Sequence, residues 1–329
     1  MRVLAAGGEA ARVVFSGVGK TYSDIEYALT QGIGCFNVES ISELTLINDV
    51  AKQLDKSAPI SLRVNPNVDA KTHPYISTGL KDNKFGISHE NAVAVYEQAA
   101  QLSHIDIVGI DCHIGSQLTE VAPFVAALDK VIELIHSLRD KGIALRHIDL
   151  GGGLGVRYID ETPVSITEFA QALLPKLTEL GLTVFFEPGR SIVANAGVLL
   201  TKVDVLKPTE HKNFAIVDAA MNDLIRPALY QAKYACDVVT KMNEAKTQKV
   251  TIAGKCCESG DILIEGVMLP KTEPLDTLCI YNTGAYNHSM ASNYNSSQKP
   301  GMVLVNNSQS DIIVYRETLE DLISRDNIP

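Results

Sequence analysis

The sequence predicts an α/β chain: a parallel (β/α)8-type TIM barrel, with about six of its eight βα units present, followed by a β-rich C-terminal domain. Three observations predict it. Apolar strand-like runs alternate with helix-period segments through the first 195 residues, the pattern of a parallel α/β sheet. Polar and glycine-rich residues collect just after those runs, where such barrels place their chemistry. Beyond about residue 196 the rhythm changes to short strand-like runs separated by turn residues. The expected domains are therefore 1–195 and 196–329.

Taken in order, Met1–Ala6 reads helical and stops at Gly7-Gly8. That is short against a mean helix of about 11–12 residues, so the start of this helix, and the two βα units that would complete a barrel, are expected ahead of Met1. Strands are expected at Val13–Ser16, Cys35–Val38, Ile60–Val64, Val108–His113, His147–Leu150 and Thr183–Phe186. Helices are expected at Ser23–Gln31, Ile41–Leu54, His89–Leu102, Val121–Lys141 and Ile166–Leu180, where apolar residues recur at helical spacing. In the second domain, strands are expected at Gly197–Leu206, Phe214–Val217, Val250–Ala253, Leu278–Tyr281, Gly301–Val305 and Ile312–Tyr315, and helices only at Tyr230–Asn243 and Leu319–Arg325.

The chain of 329 residues carries a net charge of −10. That balance argues against a nucleic-acid backbone as the main ligand. No apolar run has spanning length, so no membrane segment is expected. Six cysteines form no C-x-x-C pair, which disfavours a zinc knuckle or thioredoxin-type motif and makes a reducing cytoplasm the default.

Two motifs mislead. SGVGKT at Ser16–Thr21 suggests a phosphate-binding P-loop, but Val14 stands where that motif requires its first glycine. GGGLG at Gly151–Gly155 suggests a dinucleotide site, but Val156 replaces the last glycine and no acidic strand end follows at the right distance. Three successive glycines after a strand serve either a tight turn or a phosphate. Glu187-Pro188-Gly189-Arg190 ends the next strand run, and two adjacent glycine-rich strand ends late in a barrel favour the phosphate. Glu187 itself needs a partner, either an arginine or a protonated ring nitrogen. His113 at its strand end is either a satisfied core residue or a ring that stacks on a flat cofactor, with Ser116 beside it for the phosphate. Further on, Cys257-Glu258-Ser259-Gly260-Asp261 sets a thiol among carboxylates, and Arg226-Pro227-Ala228-Leu229-Tyr230 sets a guanidinium fork near a phenol.

At these residues the chain resembles the diaminopimelate decarboxylases, fold-type III enzymes that use pyridoxal 5'-phosphate. The resemblance rests on FSGVGKT at 15–21, RVNP at 63–66, HPYISTGLKDNKFGI at 73–87, HIGSQ at 113–117, DLGGGLG at 149–155, FEPGR at 186–190, NDLIRPALY at 222–230, CESGD at 257–261 and GAY at 284–286 followed by SMASNYN, and so runs over essentially the whole chain. It implies decarboxylation of meso-diaminopimelate to L-lysine in the cytoplasm. It implies that His113, Ser116, Gly153, Glu187, Pro188, Gly189, Arg190 and Tyr286 hold the cofactor. Arg190, Arg226, Tyr230, Glu258 and Tyr286 would bind substrate, and Cys257 would deliver the proton after carbon dioxide leaves. A homodimer is implied, with 257–258 reaching the partner's site. One departure stands out: the family's Schiff-base lysine lies in a Y-A-x-K-A-N strand, and nothing here matches it. The chain is accordingly expected not to decarboxylate at a useful rate by itself. The alternatives are another fold-type III basic amino-acid decarboxylase and a non-catalytic regulatory paralogue.

Overall fold

The computed structural model describes residues 1–68 and 84–327. Residues 73–83 of the HPYISTGLKDNKFGI segment lie outside these described residues. Two compact units divide the chain: Met1–Gly155 with Thr162–Gly189, and Val156–Glu161 with Arg190–Pro329.

The first unit alternates helix and strand. After α1 (Arg2–Ala5) come β1 (Val14–Phe15), α2 (Tyr22–Gln31), β2 (Cys35–Val38), α3 (Ile41–Gln53), β3 (Ala58–Asn65) and β4 (Ile87–Ser88). Then follow α4 (His89–Ala99), β5 (Ile105–Asp111), α5 (Ala122–Asp140), β6 (His147–Asp149), α6 (Ile166–Leu180) and β7 (Thr183–Phe185). The strands pair in the order β1-β2-β3-β5-β6-β7, every pair parallel, with short β4 beside β3. Six strands thus follow chain order, the succession of a βα barrel wall.

Local chemistry explains the boundaries. Thr21 and Ser165 open α2 and α6 with reciprocal capping boxes to Asp24 and Glu168. Gly32 and Gly181 close the same helices in the left-handed conformation. The helices bury stripes such as Leu44, Ile47 and Val50 of α3 and Leu128, Val131 and Ile135 of α5 against Phe36, Ile60, Leu62 and Ile110 of the sheet. Tyr96 of α4 is fully buried, and its hydroxyl donates to the Gly109 carbonyl at 2.7 Å. The outermost strands also approach each other at their C-terminal ends: Ser16 Oγ lies 3.4 Å from Glu187 Oε1.

The second unit is a mixed sheet. α7 (Arg190–Val193) leads into β8 (Leu199–Pro208) and β9 (Asn213–Val217), followed by α8 (Arg226–Tyr230), β10 (Cys236–Val238), β11 (Gln248–Ala253), β12 (Ile262–Leu269) and β13 (Thr277–Ile280). α9 (Asn287–Met290), the hairpin β14 (Met302–Asn306) and β15 (Gln309–Val314), and α10 (Leu319–Ile323) complete it. The strand order is β10-β13-β8-β9-β11-β12. Its core gathers Val203, Val217, Val250, Ile252, Leu263, Leu269 and Leu278.

Two expectations fail here. The helix expected over Tyr230–Asn243 is instead the end of α8, the strand β10 and a short 3-10 turn. Gln231, at φ 54°, ends α8, and β-branched Val238 joins Cys236 in pairing with β13. That cross-strand burial outweighs the weak helical periodicity of the segment. β12 was not expected at all, because its apolar run Ile262–Leu269 is interrupted by Glu265 and Gly266, the glycine accommodating a positive φ of 63° beside a register shift.

Candidate active site

In the first unit, the segments after β5, β6 and β7 are stitched together by backbone hydrogen bonds. Glu187 N–H donates to the Gly151 carbonyl at 2.7 Å, and Leu118 N–H donates to the Gly153 carbonyl at 2.9 Å. A Cβ on Gly152 would collide with the carbonyl oxygen of Glu187. One on Gly153 would collide with that of Gly115, and Gly153 also has φ +108°. The glycine run is therefore required by close backbone approach and by a left-handed residue. His113 follows β5, and its Nδ1 accepts from Gly152 N–H at 3.1 Å. Burial lowers the imidazole pKa to about 4, so the ring is neutral at physiological pH, with Nδ1 as the acceptor. Ser116 is half-buried in the same segment, three residues beyond His113. Glu187 and Pro188 directly follow the β7 strand region, and Gly189, where an added Cβ would meet no atom beyond its chain neighbours, ends the unit.

A cofactor with a cationic ring nitrogen and a phosphate fits these features. A carboxylate follows β7, a neutral imidazole follows β5, and the glycine turn after β6 stands between them, its Gly151 and Gly152 N–H groups given to Asp149 Oδ1 and His113 Nδ1. Covalent attachment is another matter, since no lysine stands in the strands of the first unit's parallel sheet, β1 to β7, among the described residues. Lys20, after β1, is buried and already donates to the carbonyls of Gly17 and Asn37 and to Glu43 Oε1, each at 2.7 Å. An ammonium has three donors, so Lys20 is fully committed to holding its turn.

The second unit collects a different group. Arg190, 4% exposed, donates from Nη1 to Tyr158 Oη at 2.6 Å and lies 4.9 Å from the Tyr286 ring. Arg226, 5% exposed, donates to Tyr234 Oη at 2.6 Å and to Tyr158 Oη at 3.1 Å. The rings of Tyr230 and Tyr286 lie within 6.0 Å of its guanidinium carbon. Among the described residues, Arg226 makes no ion pair. Tyr286 sits at φ 68°, ψ −39°, and Asn287 N–H donates to the Ala285 carbonyl at 2.9 Å. This is a γ-turn of the strained, positive-φ kind, and such strain collects at functional positions. Tyr158 and Tyr234 are essential to this arrangement, and sequence reasoning missed both. Tyr158 lies in the six-residue excursion Val156–Glu161, and no pattern in the sequence marks it.

Cys257 and Glu258 are not part of that cluster. They stand exposed on the turn between β11 and β12. Buried Asp261 holds that turn, accepting from Met221 N–H at 2.7 Å and Cys256 N–H at 2.8 Å. Burial and Asp261 push the neighbouring Cys256 thiol up to about 11, so Cys256 is an inert neighbour and Cys257 is the accessible thiol.

Comparison with known proteins bears directly on this arrangement. Residues 1–194 match the family described as pyridoxal-dependent decarboxylase, pyridoxal binding domain. The diaminopimelate decarboxylase of Pseudomonas aeruginosa is 53% identical over 327 residues, covering 99% of this chain and 78% of that protein. The chain belongs to the diaminopimelate decarboxylase family. That of Vibrio cholerae is 52% identical over 99% of the chain and 78% of its own length. The crystal structure of the Helicobacter pylori enzyme complexed with L-lysine superposes with a TM-score of 0.94 at 44% identity, covering 98% of this chain and 80% of that one. Pyridoxal phosphate is the cofactor of this family, and the barrel plus β-rich architecture is shared by its solved structures. No helix among the described residues is long and apolar enough to cross a membrane.

Proposed function

We propose that this chain carries the cofactor- and substrate-binding apparatus for decarboxylating meso-diaminopimelate to L-lysine in the cytoplasm, as a homodimer. The observation that carries the reading is Arg226: a buried guanidinium, ringed by phenols and without an ion-pair partner among the described residues. A buried cation of this kind is costly unless an anion arrives, and a guanidinium fork suits a carboxylate. Diaminopimelate has a second carboxylate that ornithine and arginine lack.

When bound, pyridoxal phosphate supplies an electron sink for the carbon that loses carbon dioxide. The chain's residues do the rest. Glu187 would accept from the cofactor's ring N–H, His113 would lie against the ring, and Ser116 and Gly153 would hold the phosphate together with the Pro188, Gly189 and Arg190 backbone. Arg190, Arg226 and Tyr230 hold the distal carboxylate, and Tyr286 covers cofactor and substrate. Glu258 holds the distal ammonium, and Cys257 returns a proton to the decarboxylated carbon. The exposure of Cys257 and Glu258 supports their serving the partner subunit. Among the described residues the first unit's parallel sheet holds no lysine for the covalent link, and turnover by residues 1–329 alone is therefore negligible.

Titration calorimetry on cofactor-loaded protein tests the reading. The expected result is retention of meso-diaminopimelate over ornithine, with that preference lost in Arg226→Leu. Equal retention of the two ligands by the parent protein refutes it.

A further inference from the structure

Parallel register places Arg63 of β3, Asp111 of β5, Asp149 of β6 and Phe185 of β7 in one row across four strands. β5, β6 and β7 end at this row, and His113, Gly151 and Glu187 each follow two residues beyond it. Glu187 is near enough for its charge to act on both aspartates.

Asp111 and Asp149 are 2% and 1% exposed. Two carboxylates on neighbouring strands, in register and out of water, cannot both ionise at ordinary cost. Little offsets them. Arg63 Nε is 3.9 Å from Asp111 Oδ2, but Arg63 commits its Nη1 to Glu39 Oε1 at 3.0 Å. Asp149 Oδ1 accepts from Gly151 N–H at 2.9 Å. Asp111 Oδ1 is buried without a hydrogen-bond partner among the described residues. The other titratable groups around the pair, among the described residues, are Glu39 after β2, Cys35 of β2, Tyr96 of α4, Cys112 and His113 after β5, and Glu187 after β7. Four carboxylates thus face one guanidinium and no second strong cation among the described residues. A single proton held between the aspartates resolves both anomalies: it relieves the like-charge repulsion, and it gives Asp111 Oδ1 a role as donor or acceptor. Burial and Asp149 push Asp111 well above the ordinary carboxylate range, and burial and Glu187 push Asp149 the same way.

We propose that Asp111 and Asp149 share one proton at neutral pH and act as positioning residues for Glu187, their remaining negative charge favouring a cationic over a neutral ring at that carboxylate. The inference rests on the reading that Glu187 meets the cofactor's ring nitrogen. It concerns how this chain discriminates a protonated pyridine from a flat ring of the same shape.

Two measurements test it on the chain as it stands. Infrared difference spectra of the cofactor-free protein at pH 7 show a deuterium-sensitive band of a protonated carboxyl, lost in Asp111→Asn. Absence of that band in the parent protein overturns the shared proton, whatever the variants do. Equilibrium binding then compares pyridoxal phosphate with its deaza analogue, which has carbon in place of the ring nitrogen. The parent protein prefers pyridoxal phosphate, and Asp149→Asn reduces that preference roughly tenfold, the scale of one nearby buried charge. Glu187→Gln separates the two claims. If it leaves the preference intact, the reading of Glu187 fails and the inference with it. If it abolishes the preference while Asp149→Asn leaves it unchanged, only the role of the aspartates is overturned.

Discussion

Replacing Asp149 by asparagine is expected to stabilise the protein, and only at neutral to alkaline pH. The change is isosteric, and the amide oxygen can still accept from Gly151 N–H, as the carboxylate does at 2.9 Å. What disappears is the ionisable group. Burial and the Glu187 charge raise the Asp149 pKa from 3.8 to about 7. The sign follows from proton uptake. Between about pH 4 and pH 7 the folded state holds a proton that the unfolded state has released, so stability falls as pH rises through that window. A rise of that size corresponds to about 4 kcal/mol, at about 1.36 kcal/mol for each tenfold change in proton affinity. Shared ionisation with Asp111 divides that cost, so about 2 kcal/mol is expected at pH 8 and close to zero at pH 4. For a unit of this size, 2 kcal/mol is roughly 4–8 °C in Tm. Urea unfolding of both proteins at pH 4, 6 and 8 measures it. A variant no more stable than its parent at pH 8, or one with the same gain at every pH, refutes the electrostatic argument.

Three further outcomes are expected. Pyridoxal phosphate added to residues 1–329 forms no specific linkage that borohydride fixes, and no carbon dioxide is released from meso-diaminopimelate; turnover by the purified chain contradicts the commitment of Lys20 to its turn. In a form that does carry the cofactor lysine, Cys257→Ala and Arg190→Ala each lower kcat/KM by at least about a hundredfold, a loss of about 2.7 kcal/mol in transition-state binding, and parent-level rates in either contradict its role. Asp261→Ala strips the acceptor from Met221 and Cys256 N–H and destabilises by about 2–3 kcal/mol, measurable as a lower urea midpoint; an unchanged midpoint would mean that the turn is held by other contacts.

The first unit was legible because each of its elements satisfies a local rule. Cys35–Val38 is a buried strand with both faces covered, so its four residues are apolar or small apart from Asn37, and the expected and observed bounds coincide. Helix bounds at Gln31 and Leu180 follow from the glycines after them. The second unit was less legible. β10 depends on a partner distant in sequence, Leu278–Ile280, which local propensity does not encode, and the Glu265-Gly266 interruption with its register shift hides β12.

The candidate site divides in the same way. Glu187, Cys257 and the arginines could be named from the sequence because their motifs are contiguous: a strand end, a glycine turn and a charged residue within a few positions. Tyr158 and Tyr234 could not, since each matters only through a hydroxyl that meets a guanidinium 32, 68 or 8 positions away. Nor could the Asp111–Asp149 pair, because two carboxylates 38 positions apart become a single titrating group only when parallel register lays their strands side by side in a dry layer. The sequence by itself determined the βα succession, the glycine turns, the family, and the residue types proposed to hold the cofactor and substrate. The tertiary structure alone decided which phenols cage the arginines, why Lys20 is unavailable, and where unpaired negative charge is buried. Those properties depend on distance and burial, which residue order does not specify until the chain has folded.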